Sequence, residues 1–167
     1  MAKRDEDFTA YVVAHRRKLV RTAYLLCGSW DRAEDVTQIA LAKLYAAWPR
    51  VQRVDGPGAY VRKIIARTAI DEWRRPWRRE LMVGEGLADL PGSVPPVDVG
   101  DRLLLRSALA QLPGRQRQVV VLRHYWGLSV DEVARDLGIS SGSVKSHCSR
   151  AIRRLNELMT QPREKVV

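Results

Sequence analysis

The strongest constraint on the fold is a pair of helical patterns, only a few residues apart, near the end of the chain. Ser129 and Glu132 have the spacing of a capping box, which starts a helix, and Gly138 favours its end. Ser140 is then the natural N-cap of a second helix. Apolar residues follow at helical spacing: Val144, Cys148, Ala151, Leu155 and Leu158. This arrangement predicts a helix-turn-helix.

The polar face of the second predicted helix carries short side chains and cations. Serine and glycine stand at its N-terminal end, where short side chains let a helix come close to base edges. Lysine and arginine follow and can reach phosphates, and no acidic residue occurs between Gly142 and Arg154. An ordinary solvated face mixes its signs. The candidate DNA-binding residues are Ser141, Gly142, Ser143, Lys145, Ser146, Arg150 and Arg153.

The net charge of the chain also favours a polyanionic partner. Its 167 residues contain 29 lysines and arginines against 19 acidic residues, which gives a formal charge of +10 at pH 7. Nucleic acid is the leading candidate, followed by an acidic membrane surface or a ribosome. No apolar run approaches the ~20 residues that a membrane-spanning helix needs, and the N-terminal stretch MAKRDEDF lacks the apolar segment of a signal peptide. We therefore expect a cytoplasmic protein without membrane insertion.

Residues for catalysis or metal binding are not grouped in this sequence. No P-loop, GxSxG, HExxH or paired-carboxylate motif occurs, and the three histidines are scattered without ligand spacing. Cys27 and Cys148 stand singly at apolar helix positions, so neither a disulfide nor a zinc site is indicated. We expect no enzymatic activity, no metal and no cofactor.

A stretch rich in proline and glycine divides the chain. Residues 76–100 hold four of the eight prolines and four of the 11 glycines, a composition that opposes both helix and strand. We interpret this stretch as a flexible linker. It would join two small domains, residues 1–75 and 101–167, and each of them carries a net positive charge.

The first domain shows three helical patterns and no strand pattern. Apolar spacing predicts a first helix that stops at Gly28. Asp31 as N-cap and Glu34 at the N3 position predict a second helix over about residues 32–48. A third helix, over about residues 60–73, carries several cations.

The second domain is also expected to be helical. The β-branched run Val119–Val121 is typical of a strand, but it lies between predicted helices and has no partner strand. The predicted fold class is therefore all-α, with two small helical domains of which the second contains the helix-turn-helix.

Three segments, in order along the chain, resemble the extracytoplasmic-function (ECF) sigma factors of bacterial RNA polymerase, a two-domain branch of the sigma-70 superfamily. AEDVTQIALAKLYAAW is similar to that family's polymerase-binding helix, and AYVRKIIARTAIDEWRR to its minus-10-reading helix. LPGRQRQVVVLRHYWGLSVDEVARDLGISSGSVKSHCSRAIRRL is similar to its minus-35 domain. The resemblance implies a sigma factor that directs core polymerase to specific promoters and assists their opening.

The resemblance also implies roles for individual residues. Asp35 and Gln38 would face the clamp helices of the polymerase β′ subunit. The loop around Gly56 would hold a flipped minus-10 base, while cations of the next helix grip the displaced strand and Tyr60 and Trp73 are available for stacking. The implied minus-10 residues are Arg53, Asp55, Gly56, Arg62, Lys63, Arg67 and Arg74. The helix-turn-helix residues named above would contact the minus-35 element.

Four residues depart from the family's pattern. Ile39 stands where an acid is common, and Thr68 where an asparagine is frequent, so clamp affinity and base preference stay open. His147 replaces an arginine and should lower phosphate affinity, because imidazole is mostly uncharged at neutral pH. Cys148 replaces a leucine and fits as a small hydrophobic residue.

The expected partners are core RNA polymerase, through the β′ clamp helices and the β subunit, and promoter DNA, with an anti-sigma factor as a further candidate. The main alternative is a conventional helix-turn-helix regulator with an unrelated helical front module; a protein-binding adaptor is another. The front module discriminates between them. A sensor needs a ligand pocket or a phosphoacceptor aspartate on a β/α framework, whereas this module is short, helical and basic.

Overall fold

The computed structural model describes residues 1–53, 56–73 and 99–161, and these residues form helices without any strand. The all-α fold class is confirmed. We call α1–α3 the front half and α4–α7 the back half of the molecule. The α-helices are α1 (Ala2–Cys27), α2 (Trp30–Val51), α3 (Gly56–Trp73), α4 (Val99–Gln111), α5 (Gly114–Val120), α6 (Val130–Leu137) and α7 (Ser141–Thr160).

Helix α1 ends where the sequence predicts. Gly28 adopts φ 76°, a left-handed conformation that glycine reaches without strain, and its N–H bonds to the carbonyl of Tyr24. The apolar stripe of the C-terminal part of α1, which includes Leu19, Ala23 and Leu26, is fully buried. This stripe anchors the front half, because α2 and α3 both pack against it.

Helix α2 starts earlier and ends later than predicted. Ser29 is its N-cap, in extended backbone geometry, so Asp31 lies inside the first turn and the predicted capping box with Glu34 is wrong. The Glu34 carboxylate instead forms an ion pair with Arg16 of α1. The helix also continues through Pro49 to Val51. Proline removes only one intrahelical hydrogen bond so close to the end, and the last turn is held by the buried Val51.

The run Val119–Val121 is helical, as predicted. Helix α5 passes directly into a π-helical turn over Val121–Tyr125, and Gly127 follows in a left-handed conformation at φ 72°. The π turn brings Trp126 to the boundary between the two halves, where its indole N–H donates to Thr22 of α1 at 2.8 Å.

The predicted helix-turn-helix is confirmed as α6 and α7. The amide of Glu132 donates to the Ser129 hydroxyl at 3.1 Å, and the amide of Ser129 donates to the Glu132 carboxylate at 2.7 Å, which completes the capping box. Gly138 closes α6 at φ 64°, and Ser140 caps α7 by accepting from the amide of Ser143 at 3.1 Å. Local capping chemistry therefore fixes the turn between the two helices.

The two halves pack together around one continuous hydrophobic core. It runs from Leu19 and Val61 in the front half to Leu122 and Val144 in the back half. Most of the predicted linker lies outside the described residues. Its last two residues, 99 and 100, belong to the first turn of α4.

Candidate nucleic-acid and polymerase interfaces

Helix α7 separates a buried face from an open basic one. Val144 and Ala151 are fully buried against the rest of the back half, while Cys148 is partly buried beside them. The predicted DNA-binding residues on the opposite face are exposed: Gly142, Lys145, Ser146, Arg150 and Arg153. The structure therefore brings these five together on one accessible surface.

The two remaining serines of the candidate set are partly buried and hydrogen-bonded at the helix start. Ser141 donates its hydroxyl to the carboxylate of Asp131 on α6 at 2.9 Å, and the Ser143 hydroxyl accepts from Ser140 at 2.9 Å. Both hydroxyls stabilise the turn of the helix-turn-helix. They lie at the edge of the exposed face rather than at its centre.

His147 lies beside this face and is held in its neutral form. Partial burial lowers its pKa, and the positive charges of Arg115 and Arg150 lower it further. Imidazolium formation is therefore disfavoured at neutral pH, and the positive potential of the face comes from lysine and arginine.

Helix α2 divides its residues in the same way as α7. Val36, Ala40 and Leu44 are buried, whereas Asp35 and Gln38 are exposed on the opposite side. Ile39 is 42% exposed beside them, an unusual position for a large apolar side chain. An acid, an amide and an apolar side chain thus form a small open surface that suits a protein partner.

The loop between α2 and α3 is shorter than the sequence suggests. Arg53 is exposed directly after α2, and Gly56 has φ 74°. Pro57 and Gly58 already belong to the first turn of α3, and Gly58 does not adopt a positive φ, so of the two glycines in RVDGPG the first alone has an unusual backbone angle. Asp55 and Arg74, the other predicted minus-10 residues at the two ends of α3, lie outside the described residues.

The cations of α3 do not share one open surface. Arg67 is exposed and Lys63 is partly buried. Arg62 turns toward the back half, where its Nε donates to the Asp136 carboxylate of α6 at 3.0 Å, with the two side chains 12% and 5% exposed. The predicted minus-10 set is therefore divided between solvent and the interior.

Arg117 is a structurally important residue that the sequence analysis did not single out. It is 1% exposed, and its guanidinium donates to the carbonyls of Leu26, at the end of α1, and of Leu109 and Leu112, at the end of α4, at 2.8 to 2.9 Å. Burial lowers its pKa to about 10, so it stays charged at neutral pH. One side chain thus satisfies helix-end carbonyls in both halves.

Known families match both halves of the chain. The family model described as Sigma-70 region 2 matches residues 11–79, and that described as Sigma-70, region 4 matches residues 102–155. The RNA polymerase sigma-E factor of Streptomyces coelicolor is 36% identical over 151 residues, which cover 90% of this chain and 85% of the relative. The chain belongs to the sigma-70 family.

Further relatives confirm the ECF branch of the family. The ECF RNA polymerase sigma factor SigL of Mycobacterium tuberculosis is 35% identical over 84% of this chain and 82% of its own length. Among solved structures, the sigma factor RpoE of Bartonella quintana, crystallised with the anti-sigma factor NepR, has a TM-score of 0.75 at 26% identity and covers 95% of this chain and 99% of its own. The protein is an RNA polymerase sigma factor that serves promoter-specific transcription.

The family assignment removes the main alternative, because a conventional regulator would not carry sigma-70 region 2. That region covers most of α1 and all of α2 and α3, and region 4 covers most of α4, all of α5 and α6, and α7 as far as Leu155. Among the described residues of this sigma factor, no group of three or more potential ligands could hold a metal ion, and no helix is long and apolar enough to cross a membrane.

A wide apolar groove lies between the halves of the sigma factor. Its volume is about 650 Å³, and it is lined by α1, α4, the π turn and α7. Several large side chains on its walls are partly open to solvent: Leu105, Tyr125, Ile152 and Met159. Such a surface is typical of a groove that binds a helix of a partner protein.

Proposed function

We propose that this sigma factor divides its three recognition tasks among three helices. The exposed face of α2 binds the β′ clamp helices of core polymerase through Asp35 and Gln38. The stretch of α7 from Ser141 to Arg153 reads the minus-35 element, and α3 with the preceding loop reads the minus-10 element. The protein performs no covalent chemistry of its own and acts in the cytoplasm, where polymerase and promoter DNA are found.

The observation that supports this proposal is that α2 and α7 each have a buried apolar face and an exposed polar face on the opposite side. Asp35 and Gln38 on α2, and five of the seven predicted contact residues on α7, are exposed while the apolar stripe is buried, so these exposed side chains are not needed to hold the fold. Exposed polar residues that do no structural work are available for partners.

The test of the α2 assignment is a pull-down with purified core polymerase. The double substitution Asp35→Ala, Gln38→Ala should leave thermal unfolding unchanged and weaken core binding by roughly 30-fold, since central interface residues commonly contribute more than ~1 kcal/mol each. The matched control, Asp7→Ala with Gln52→Ala, removes the same two side-chain types from exposed positions of the front half. Equal core binding by both double variants would contradict the assignment.

We also propose that an anti-sigma factor inserts a helix into the groove between the halves. The related RpoE of Bartonella quintana was solved with the anti-sigma factor NepR. In this chain, the groove walls combine partly exposed apolar side chains with the basic residues Arg102 and Arg106. An amphipathic helix with acidic flanks complements that surface.

A photo-crosslinking amino acid placed at Ile152 identifies the occupant in the cell. We expect a crosslinked product with a small helical anti-sigma protein, and none from the same residue placed at Val13, which is 79% exposed and lies away from the groove. Crosslinks to polymerase subunits alone would contradict this partner.

A further inference from the structure

Helix α3 presents a stripe of residues to the back half rather than to solvent. Arg62, Ala66 and Ile70 are four positions apart and so lie on one side of the helix. Arg62 bonds to Asp136 at 3.0 Å, and the carbonyl of Ala66 accepts from the Gln118 side chain at 2.8 Å. Ile70 packs so closely on Gly114 that a β carbon there would lie 3.0 Å from its Cγ2 atom. The two halves therefore dock through specific contacts.

Trp126 adds a second set of contacts around the same arginine. Its indole N–H is bonded to Thr22, and the Arg62 guanidinium lies 5.1 Å from the centre of its ring. The ammonium of Lys18 lies 4.1 Å from the same ring. Arg62 is thus held by a carboxylate and an aromatic ring that both come from the back half, while α1 fixes the position of that ring.

In the docked arrangement, Arg62, which belongs to the proposed minus-10 contact, is already bound to Asp136. An arginine that is paired with a buried carboxylate cannot also hold a DNA phosphate, and the surrounding back half blocks a strand from approaching it. The exposed faces of α2 and α7 are not covered in this way. The arrangement therefore leaves the proposed clamp-binding face of α2 and minus-35 face of α7 open, but not Arg62.

We propose that the docking of α5 and α6 on α3 is a self-inhibitory contact in which Asp136 takes the place of a promoter phosphate on Arg62. Minus-10 reading then requires the back half to separate from α3. This inference rests on the proposed role of α3 in minus-10 recognition. It assigns Asp136 and Gln118 the role of holding the sigma factor closed before it meets its promoter.

A reversible covalent lock tests the proposal directly. The variant Ile70→Cys, Gly114→Cys brings two thiols together across the docked surface, since Cγ2 of Ile70 lies one bond from its β carbon and the two β carbons are then at most about 4.5 Å apart, within disulfide range. Cys148→Ala in the same protein removes the partly exposed native thiol, while Cys27 is buried and its pKa is raised to about 11, which keeps it unreactive.

The full-length lock variant should bind a single-stranded minus-10 oligonucleotide at least about tenfold more weakly when oxidised than after reduction, because only the separated form is competent. Core-polymerase binding through α2 should survive oxidation in the same samples. Equal DNA binding by the oxidised and reduced forms would overturn the inference, and so would a failure of the two cysteines to crosslink. If the wild-type protein binds neither core polymerase nor the oligonucleotide, the proposed function itself is wrong. That result differs from one in which the wild-type protein binds both and oxidation of the lock variant has no effect.

A single isosteric substitution tests the opposite change, because it weakens the docked arrangement instead of locking it. Asp136→Asn keeps the shape of the side chain but removes its charge, and it should strengthen minus-10 binding about two- to fivefold by releasing Arg62. The matched control is Glu157→Gln, which makes the same charge change on α7, where Glu157 forms an exposed pair with Arg154. Equal gains from both variants would mean general electrostatics and would overturn the role of Asp136.

Discussion

Helices α3 and α7 both carry the cations expected of DNA-reading helices, yet the structure treats them differently. Along α7, Lys145, Arg150 and Arg153 face solvent on the side opposite the buried Val144. On α3, Arg67 is exposed while Arg62 bonds to Asp136 between the two halves. A basic residue on a predicted DNA-binding helix can therefore stabilise the fold, bind DNA, or do each in a different state of the molecule.

The difference follows from how many faces of each helix are buried. Helix α7 has one buried stripe, so its opposite side stays open along its length. Helix α3 has two: Val61 and Ile65 pack in the front half, while Ala66 and Ile70 lie under the back half. A helix that is apolar on two sides has two packing partners, so fewer of its polar residues are exposed and able to bind DNA.

We expect the greatest loss of stability from removing the buried guanidinium of Arg117, which bonds to carbonyls in both halves. Arg117→Met should lower the free energy of unfolding by about 3 kcal/mol or more, because several buried carbonyls lose their donor and each unsatisfied group costs ~1 to 3 kcal/mol. Urea denaturation measures the change.

The matched control for that variant is Arg115→Met, two residues earlier in α5, where the arginine is only partly buried and bonds to Gln118. It should cost far less. Similar losses of stability in the two variants would show that the buried carbonyl contacts contribute little.

The open face of α7 predicts the next largest effect. Arg150→Ala should weaken binding to minus-35 duplex DNA about tenfold and, if the contact is to phosphate, reduce the slope of affinity against salt by ~1. Lys43→Ala, which removes an exposed cation from α2, should change neither quantity. An unchanged affinity for Arg150→Ala across a salt titration would remove this residue from the interface.

A smaller effect sharpens the contrast within α3 itself. Arg67→Ala should weaken minus-10 binding only a few-fold, as expected for one exposed phosphate contact, and by the same factor in wild type and in Asp136→Asn. Fluorescence anisotropy with a labelled oligonucleotide measures both. A loss that grows in the Asp136→Asn protein would mean that Arg67, like Arg62, is covered in the docked arrangement.

The elements set by local chemistry were predictable from the sequence, whereas the packing between the halves was not. The capping box of Ser129 and the left-handed Gly138 are encoded within a few residues, so α6 and α7 were placed correctly. Asp31 has the same local signal, but the N-cap is Ser29, because α2 begins two residues closer to the end of α1. Local spacing cannot decide between two adjacent caps.

The role of Arg117 depends on contacts across 91 residues of chain, which no local pattern reveals. The same holds for the Arg62 pair with Asp136, at a separation of 74 residues. The sequence did offer two signals: an arginine two residues before the apolar run that starts at Val119, and apolar residues on two sides of α3. Each indicates a second packing partner without identifying it.

His147 gives the smallest predicted effect, and its sign follows from the lowered pKa. The free protein protonates this imidazole only below its ordinary value near 6.5, because partial burial and the charges of Arg115 and Arg150 oppose it. DNA phosphates favour the protonated form, so minus-35 affinity should be flat from pH 8 to 7 and rise as the pH falls below about 6.5.

The lowered pKa of His147 also affects stability. In the same pH range the unfolded chain takes up the proton more readily than the folded one, so the free energy of unfolding should decrease slightly as the pH decreases. His147→Gln should abolish both trends. Anisotropy titrations and melting temperatures at pH 7.5 and 5.5 measure them, and a wild-type profile identical to that of His147→Gln would mean that this histidine lies outside the electrostatic reach of the DNA.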